Sequence, residues 1–146
     1  MAVELSFELS GQSPHERGIQ SSLAMWAETA RMAGEACVVI DPDGKVFAAS
    51  PGCGALFDID VADAVGQTLA GDVLDLRDFS TYQKVLPDWE IKKTPPLLAV
   101  SSAGLARGLL RVFVGNATKT VDAISVPLVE SGVIVGSLTF FVPVNQ

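Results

Sequence analysis

Cys53, flanked by Gly52 and Gly54 at the start of a predicted helical turn over 53–57, has the strongest claim to chemistry in this chain. The positive end of a helix dipole lowers a thiol's pKa, and a thiolate reacts with peroxide where a thiol does not. Against redox sensing stands the inert thiol, the ordinary state of a cysteine. His15 is the single histidine and sits at a predicted helix start, so any Ser-His-Asp site has to use it. An exposed helix-end residue is the simpler expectation. Asp41, Asp43 and Gly44 resemble the opening of a calcium loop. The glycine, however, follows the second acid by one residue instead of three, and Gly52 stands where the closing glutamate belongs. A tight turn is expected there. Asp122 shares a strand face with Ile124 and Val126; a buried carboxyl with a raised pKa at that position would point to a small enzyme. CxxC, HExxH, GxSxG and phosphate-loop patterns are absent. The chain is expected to have no catalytic activity of its own and no metal.

With 146 residues, 49% of them hydrophobic and 18% charged, the chain suits a globular domain with one core. A formal net charge of -7 repels phosphate backbones, so direct contact with nucleic acid is not expected. The longest strongly apolar stretch, Val133 to Val144, contains Gly136, Ser137, Thr139 and Pro143. It is too short for a membrane helix, which needs roughly twenty residues, and reads as a buried strand. Membrane contact is not expected. The N-terminus lacks the basic start and apolar middle of a secretory signal. The expected location is cytoplasmic, with Cys37 and Cys53 as reduced thiols. Trp26 and Trp89 are expected in a core or an interface.

The elements that must position these residues follow from periodicity. Val3, Leu5, Phe7 and Leu9 alternate with polar residues and predict a leading strand. Ser13, Pro14 and Glu16 form a helix start, and a helix follows to Met32. Ile19, Leu23, Trp26 and Ala30 make an apolar stripe along it. The stripe has two readings: it packs on the domain's own sheet, or it meets its counterpart in a second subunit. After Gly34, the run Cys37 to Ile40, the turn Asp41-Pro42-Asp43-Gly44 and the run Lys45 to Ala49 predict a hairpin. Short helical turns over 53–57 and 61–65 come next. Residues 67–105 predict short helices and a long loop. Three strands, Leu109 to Val114, Lys119 to Leu128 and Val133 to Val142, then form an antiparallel meander.

This order of elements, and the residues within it, resembles the PAS family. The hairpin Val38-Val39-Ile40-Asp41-Pro42-Asp43-Gly44-Lys45-Val46-Phe47 is similar to that family's apolar strand, Asp, x, x, Gly, apolar strand. Ser50 stands where the family usually has Asn. Leu56-Phe57 and then Ala64-Val65-Gly66-Gln67-Thr68-Leu69 resemble its short helix and Gly-led apolar segment. Val126-Pro127-Leu128 with Gly132, Val133 and Gly136 resembles its last hairpin. The family's closing Asp-Ile-Thr is replaced by Phe141-Val142-Pro143-Val144. Profilin-like relatives such as GAF and roadblock domains are the alternative architecture.

The resemblance implies an α+β fold, a five-stranded antiparallel sheet with short helices on one face and an N-terminal amphipathic helix. It divides the chain into a coupling segment over 1–34 and a PAS-like domain over 35–144. It also implies a cavity between sheet and helices, lined by Val38, Ile40, Leu110, Val112, Val114, Gly136, Leu138 and Phe140. That lining suits a small apolar ligand or a filled core with none. Haem and flavin are not expected. No histidine lies in the middle helices, and nothing resembles the flavin-binding Asn-Cys-Arg-Phe-Leu-Gln segment. Leu138, two residues beyond Gly136, holds the position of a flavin-contacting Gln. The implied role is a signal-sensing or regulatory domain of a signal-transduction or transcription-regulatory protein. It would pair as a homodimer through Ile19, Leu23, Trp26 and Ala30 and act on an effector, such as a kinase or transcription regulator, in cis or in trans. The alternative is a constitutive interaction module with a filled core.

Overall fold

The computed structural model describes residues 14–144, with side chains from Leu23 onward. The strand expected over Val3 to Leu9 and the side chains of His15 and Ile19 lie outside the described residues. In chain order, α1 (Pro14–Met32) leads into the hairpin β1 (Cys37–Ile40) and β2 (Val46–Ala49). Then come α2 (Pro51–Phe57), α3 (Val61–Ala64), β3 (Asp75–Arg77), α4 (Asp88–Ile91) and α5 (Pro95–Ser102). The meander β4 (Ala106–Val114), β5 (Ala117–Glu130) and β6 (Val133–Pro143) closes the fold. All six strands form one antiparallel sheet in the order β2-β1-β6-β5-β4-β3.

The sheet has one strand more than the five expected. Strand β3 pairs Leu76 with Val112 and Arg77 with Arg111 at the β4 edge. Leu76 points into the core, while Arg77 and Asp75 form an ion pair at 2.8 Å and the Arg77 guanidinium lies 4.7 Å over the Phe113 ring. A three-residue strand carries too little alternation to stand out among the acids around it.

Alternation sorts the sheet into two apolar faces. The inner face, under the short helices, buries Val38, Ile40, Leu110, Val112, Val121 and Phe141 with Phe57 of α2. The outer face sets Cys37, Val39, Ala48, Leu128, Val135 and Leu138 beneath Leu23, Ala27 and Ala30 of α1.

Three local features fix this arrangement. The Asp41 carboxylate accepts the backbone N–H groups of Asp43 (2.9 Å) and Lys45 (3.0 Å), and Gly44 takes φ 84°. The acid therefore serves the turn. Ser50 caps α2 and is fully buried. Its hydroxyl oxygen accepts from Cys53 N (3.1 Å) and Cys37 N (2.9 Å), and its proton goes to the Glu35 carbonyl (2.6 Å), which ties helix, strand and entry loop together. Gly136 lets β6 approach the end of its antiparallel neighbour β1 closely: a Cβ there would stand 2.0 Å from the Ile40 carbonyl oxygen.

Candidate functional site

The expected cavity lining divides between the two faces. Val38, Ile40, Leu110 and Val112 come together in the inner cluster, with Val114 packed against it. Leu138 instead belongs to the outer cluster beneath α1, Phe140 packs against that cluster, and a Cβ on Gly136 would also meet Leu23. The register explains the split. Leu138 pairs with Val39 and Phe140 with Cys37, so both share the outward face of β1, while Ser137, Thr139 and Phe141 point inward. In residues 133–142 the inward phase holds Ser137 and Thr139 while the outward one is apolar, so hydrophobicity alone points to the wrong face.

The inner residues missed by that phase error are polar. The Ser125 and Thr139 hydroxyls lie 2.6 Å apart, and Ser137 Oγ donates to the Pro96 carbonyl at 2.9 Å, which pins α5 to the sheet. All three are fully buried and partnered. Around them the interior is filled by side chains, with the Phe57 and Phe141 rings edge to face at 5.0 Å. Leu138 faces outward, so its identity says nothing about a flavin in the interior.

Two chemical expectations are corrected or resolved by burial and charge. Cys53 has no exposed surface, and burial pushes its thiol up to about 12. Desolvation of the thiolate overwhelms the dipole of a seven-residue helix, so Cys53 is no redox-reactive thiolate. Cys37, also buried and unpaired, is raised for the same reason. Asp122 pairs with Arg107 at 2.6 Å, and that hydrogen bond holds its carboxyl below the usual carboxylate range. The raised carboxyl that would have pointed to an enzyme is not there. No group of three or more metal-ligating side chains converges among the described residues.

The α1 stripe is mostly used within the chain. Leu23 and Ala30 are buried on the chain's own sheet, while Trp26 is 37% exposed. For Leu23 and Ala30 this is the first of the two readings of the stripe, packing on the domain's own sheet. Beyond the reach of α1 no element among the described residues covers the outer face. Leu109, Asp122 and Val142 align across β4, β5 and β6, and Arg107, Ile124 and Phe140 form the next row. Leu109 and Val142 are each more than half exposed.

No protein-family model matches the chain, and no curated protein resembles it in sequence. Solved structures do match. The PAS domain of a protein from Colwellia psychrerythraea is 21% identical, covers 84% of this chain and 96% of its own, and superposes with a TM-score of 0.59. The chain has the PAS fold. The PAS domain of nitrogen regulation protein NR(II) from Vibrio parahaemolyticus is 13% identical with a TM-score of 0.55, covering 82% of this chain and 98% of that one. A PAS domain of a LuxR-family transcriptional regulator from Burkholderia thailandensis, in complex with ethanol, gives 10% and 0.55, covering 82% and 96%. Among the described residues, no helix of this PAS-fold chain is long and apolar enough to cross a membrane.

Proposed function

We propose that the chain is a cytoplasmic regulatory module of signal transduction or transcription control, without catalysis of its own, that pairs with a second copy through the uncovered part of its outer sheet face. The observation that carries this reading is the exposure of Leu109 and Val142, which flank Asp122 in one row beside Ile124 and Phe140 where α1 ends its cover. Apolar surface of this kind, rimmed by charge, is characteristic of interfaces. The Arg107–Asp122 pair within the patch offers self-complementary charge to a two-fold partner. Trp26 adds exposed aromatic surface on α1. Relatives of the fold from a nitrogen regulation protein and a transcriptional regulator support a regulatory role. The output goes to an effector in cis or in trans, through α1 and the sheet it rests on. The two buried, unpaired cysteines suit a reducing compartment.

The filled interior favours the constitutive form of this module over one with an apolar ligand inside the sheet. Sedimentation of the purified chain tests the pairing. A dimer that becomes a folded monomer in Val142→Glu supports it, and a wild-type monomer at all accessible concentrations refutes it.

A further inference from the structure

Between β4 and the segment running from Leu76 through α4 to α5 lies a cleft of ≈ 190 Å³. Fourteen of the 146 residues line it, yet they include four of the chain's ten lysines and arginines: Arg77, Lys93, Arg107 and Arg111. In a chain with a net charge of -7, this is a strong local reversal of sign. Arg77 and Arg107 are neutralised by Asp75 and Asp122. Arg111 and Lys93 pair with no carboxylate among the described residues, and Glu90, the one acid of the lining, reaches neither.

Arg111 Nη1 donates only to neutral carbonyls, those of Asp78 (3.5 Å) and Ser80 (3.3 Å), while its guanidinium lies 4.9 Å over the Phe79 ring. The nearby Asp78 carboxylate is turned into its own loop, where it accepts from Ser80 and Lys84. The Lys93 ammonium rests 5.2 Å over Trp89. Beside these two cations Phe79 and Leu98 leave apolar surface open to the cleft.

We propose that this cleft binds a small monocarboxylic acid with an apolar body, its carboxylate on Arg111 and Lys93 and its body against Phe79 and Leu98. A guanidinium presents paired donors that match a carboxylate. The volume equals roughly six waters at about 30 Å³ each and falls below the range of about 300–1,000 Å³ for drug-sized ligands. It therefore suits an acid the size of benzoate. Glu90 and the negative chain as a whole disfavour polyanions. The proposal goes beyond the regulatory role and does not depend on the pairing of two chains.

The test is a titration of the full chain with benzoate, followed through backbone amide shifts. Saturable changes are expected at residues 76–79, 90–98 and 107–111. Binding is expected to weaken about tenfold or more in Arg111→Gln, the loss of a charge-assisted hydrogen bond, and to a smaller extent in Lys93→Ala. Benzamide, which keeps the ring without the charge, and acetate, which keeps the charge without the ring, are each expected to bind at least about tenfold more weakly. Unchanged shifts in β1 and β6 report that Arg111→Gln is folded; if it is not, the exposed Lys93→Ala carries the comparison. Benzoate that leaves these residues unmoved overturns the proposal. Equal binding of benzamide, equal binding of acetate or sulfate, or an acidic peptide that moves these residues where benzoate does not, each overturns it as well.

Discussion

On the inner face Val112 and Val121 are almost completely buried, whereas Leu109 and Val142, on the outer face of the same three-strand meander, each keep more than half their surface. The difference is one of cover. Four short helices and their loops close the inner side, while a single helix serves the outer one. Six strands about 4.8 Å apart span roughly 24 Å, and one helix is about 10–12 Å wide. Helix α1 therefore shields the side of the sheet that holds Val39, Ala48 and Leu138 and cannot reach Leu109. The inner face belongs to stability; the recognition proposed above uses the open outer face and the cleft beside β4.

The sharpest way to break that division is at the close approach of β6 to β1. Gly136→Ala drives a methyl group into the Ile40 carbonyl at 2.0 Å and is expected to cost about 4 kcal/mol or more, read as a shift of the urea midpoint. Ser50→Ala removes three hydrogen bonds and orphans two buried backbone groups. About 2–3 kcal/mol is expected by the same measurement; a loss below 0.5 kcal/mol would show that the cap does not hold α2 to β1.

Burial of Cys53 predicts a pH dependence. Burial pushes its folded pKa up to about 12, above the 9.0 of a free thiol. Between those values the unfolded chain releases a proton that the folded chain keeps. Stability conferred by this thiol is therefore intact below pH 9 and falls as pH rises, at up to about 1.4 kcal/mol per pH unit for one proton. Cys37 steepens the fall. Cys53→Ala should flatten this part of the curve, and the native thiol should resist peroxide and aromatic disulfides until unfolding exposes it. The smallest effect on stability belongs to the open face: Leu109→Glu and Val142→Glu should each change it by less than about 0.5 kcal/mol while abolishing any dimer. If either instead unfolds the chain, the outer face is core and the contrast between the faces fails.

Much of this molecule was legible in residue order. The hairpin at Asp41–Gly44 follows from turn chemistry, α1 from its start signals and stripe, and the meander from alternation broken at Gly115 and Gly132. Other features were not legible. Strand β3 is too short for a period. The inward phase of β6 was lost because Gly136, Leu138 and Phe140 look more apolar than the inward Ser137, Thr139 and Phe141. The polar trio Ser125, Ser137 and Thr139 was hidden for the same reason. The edge cleft collects residues from Leu76 to Arg111, and no linear motif joins them.

By itself the sequence determined the elements and their order, because caps, turns and periodicity act over a few residues. It also determined the acidic balance that disfavours nucleic acid. Which face each residue joined was decided only by tertiary structure, since register is set by pairing between distant strands. Tertiary structure also decided that Cys53 is inert, that Asp122 stays charged, and that Arg111 and Lys93 meet at one cleft. Burial, pKa and charge pairing depend on neighbours that chain order does not name.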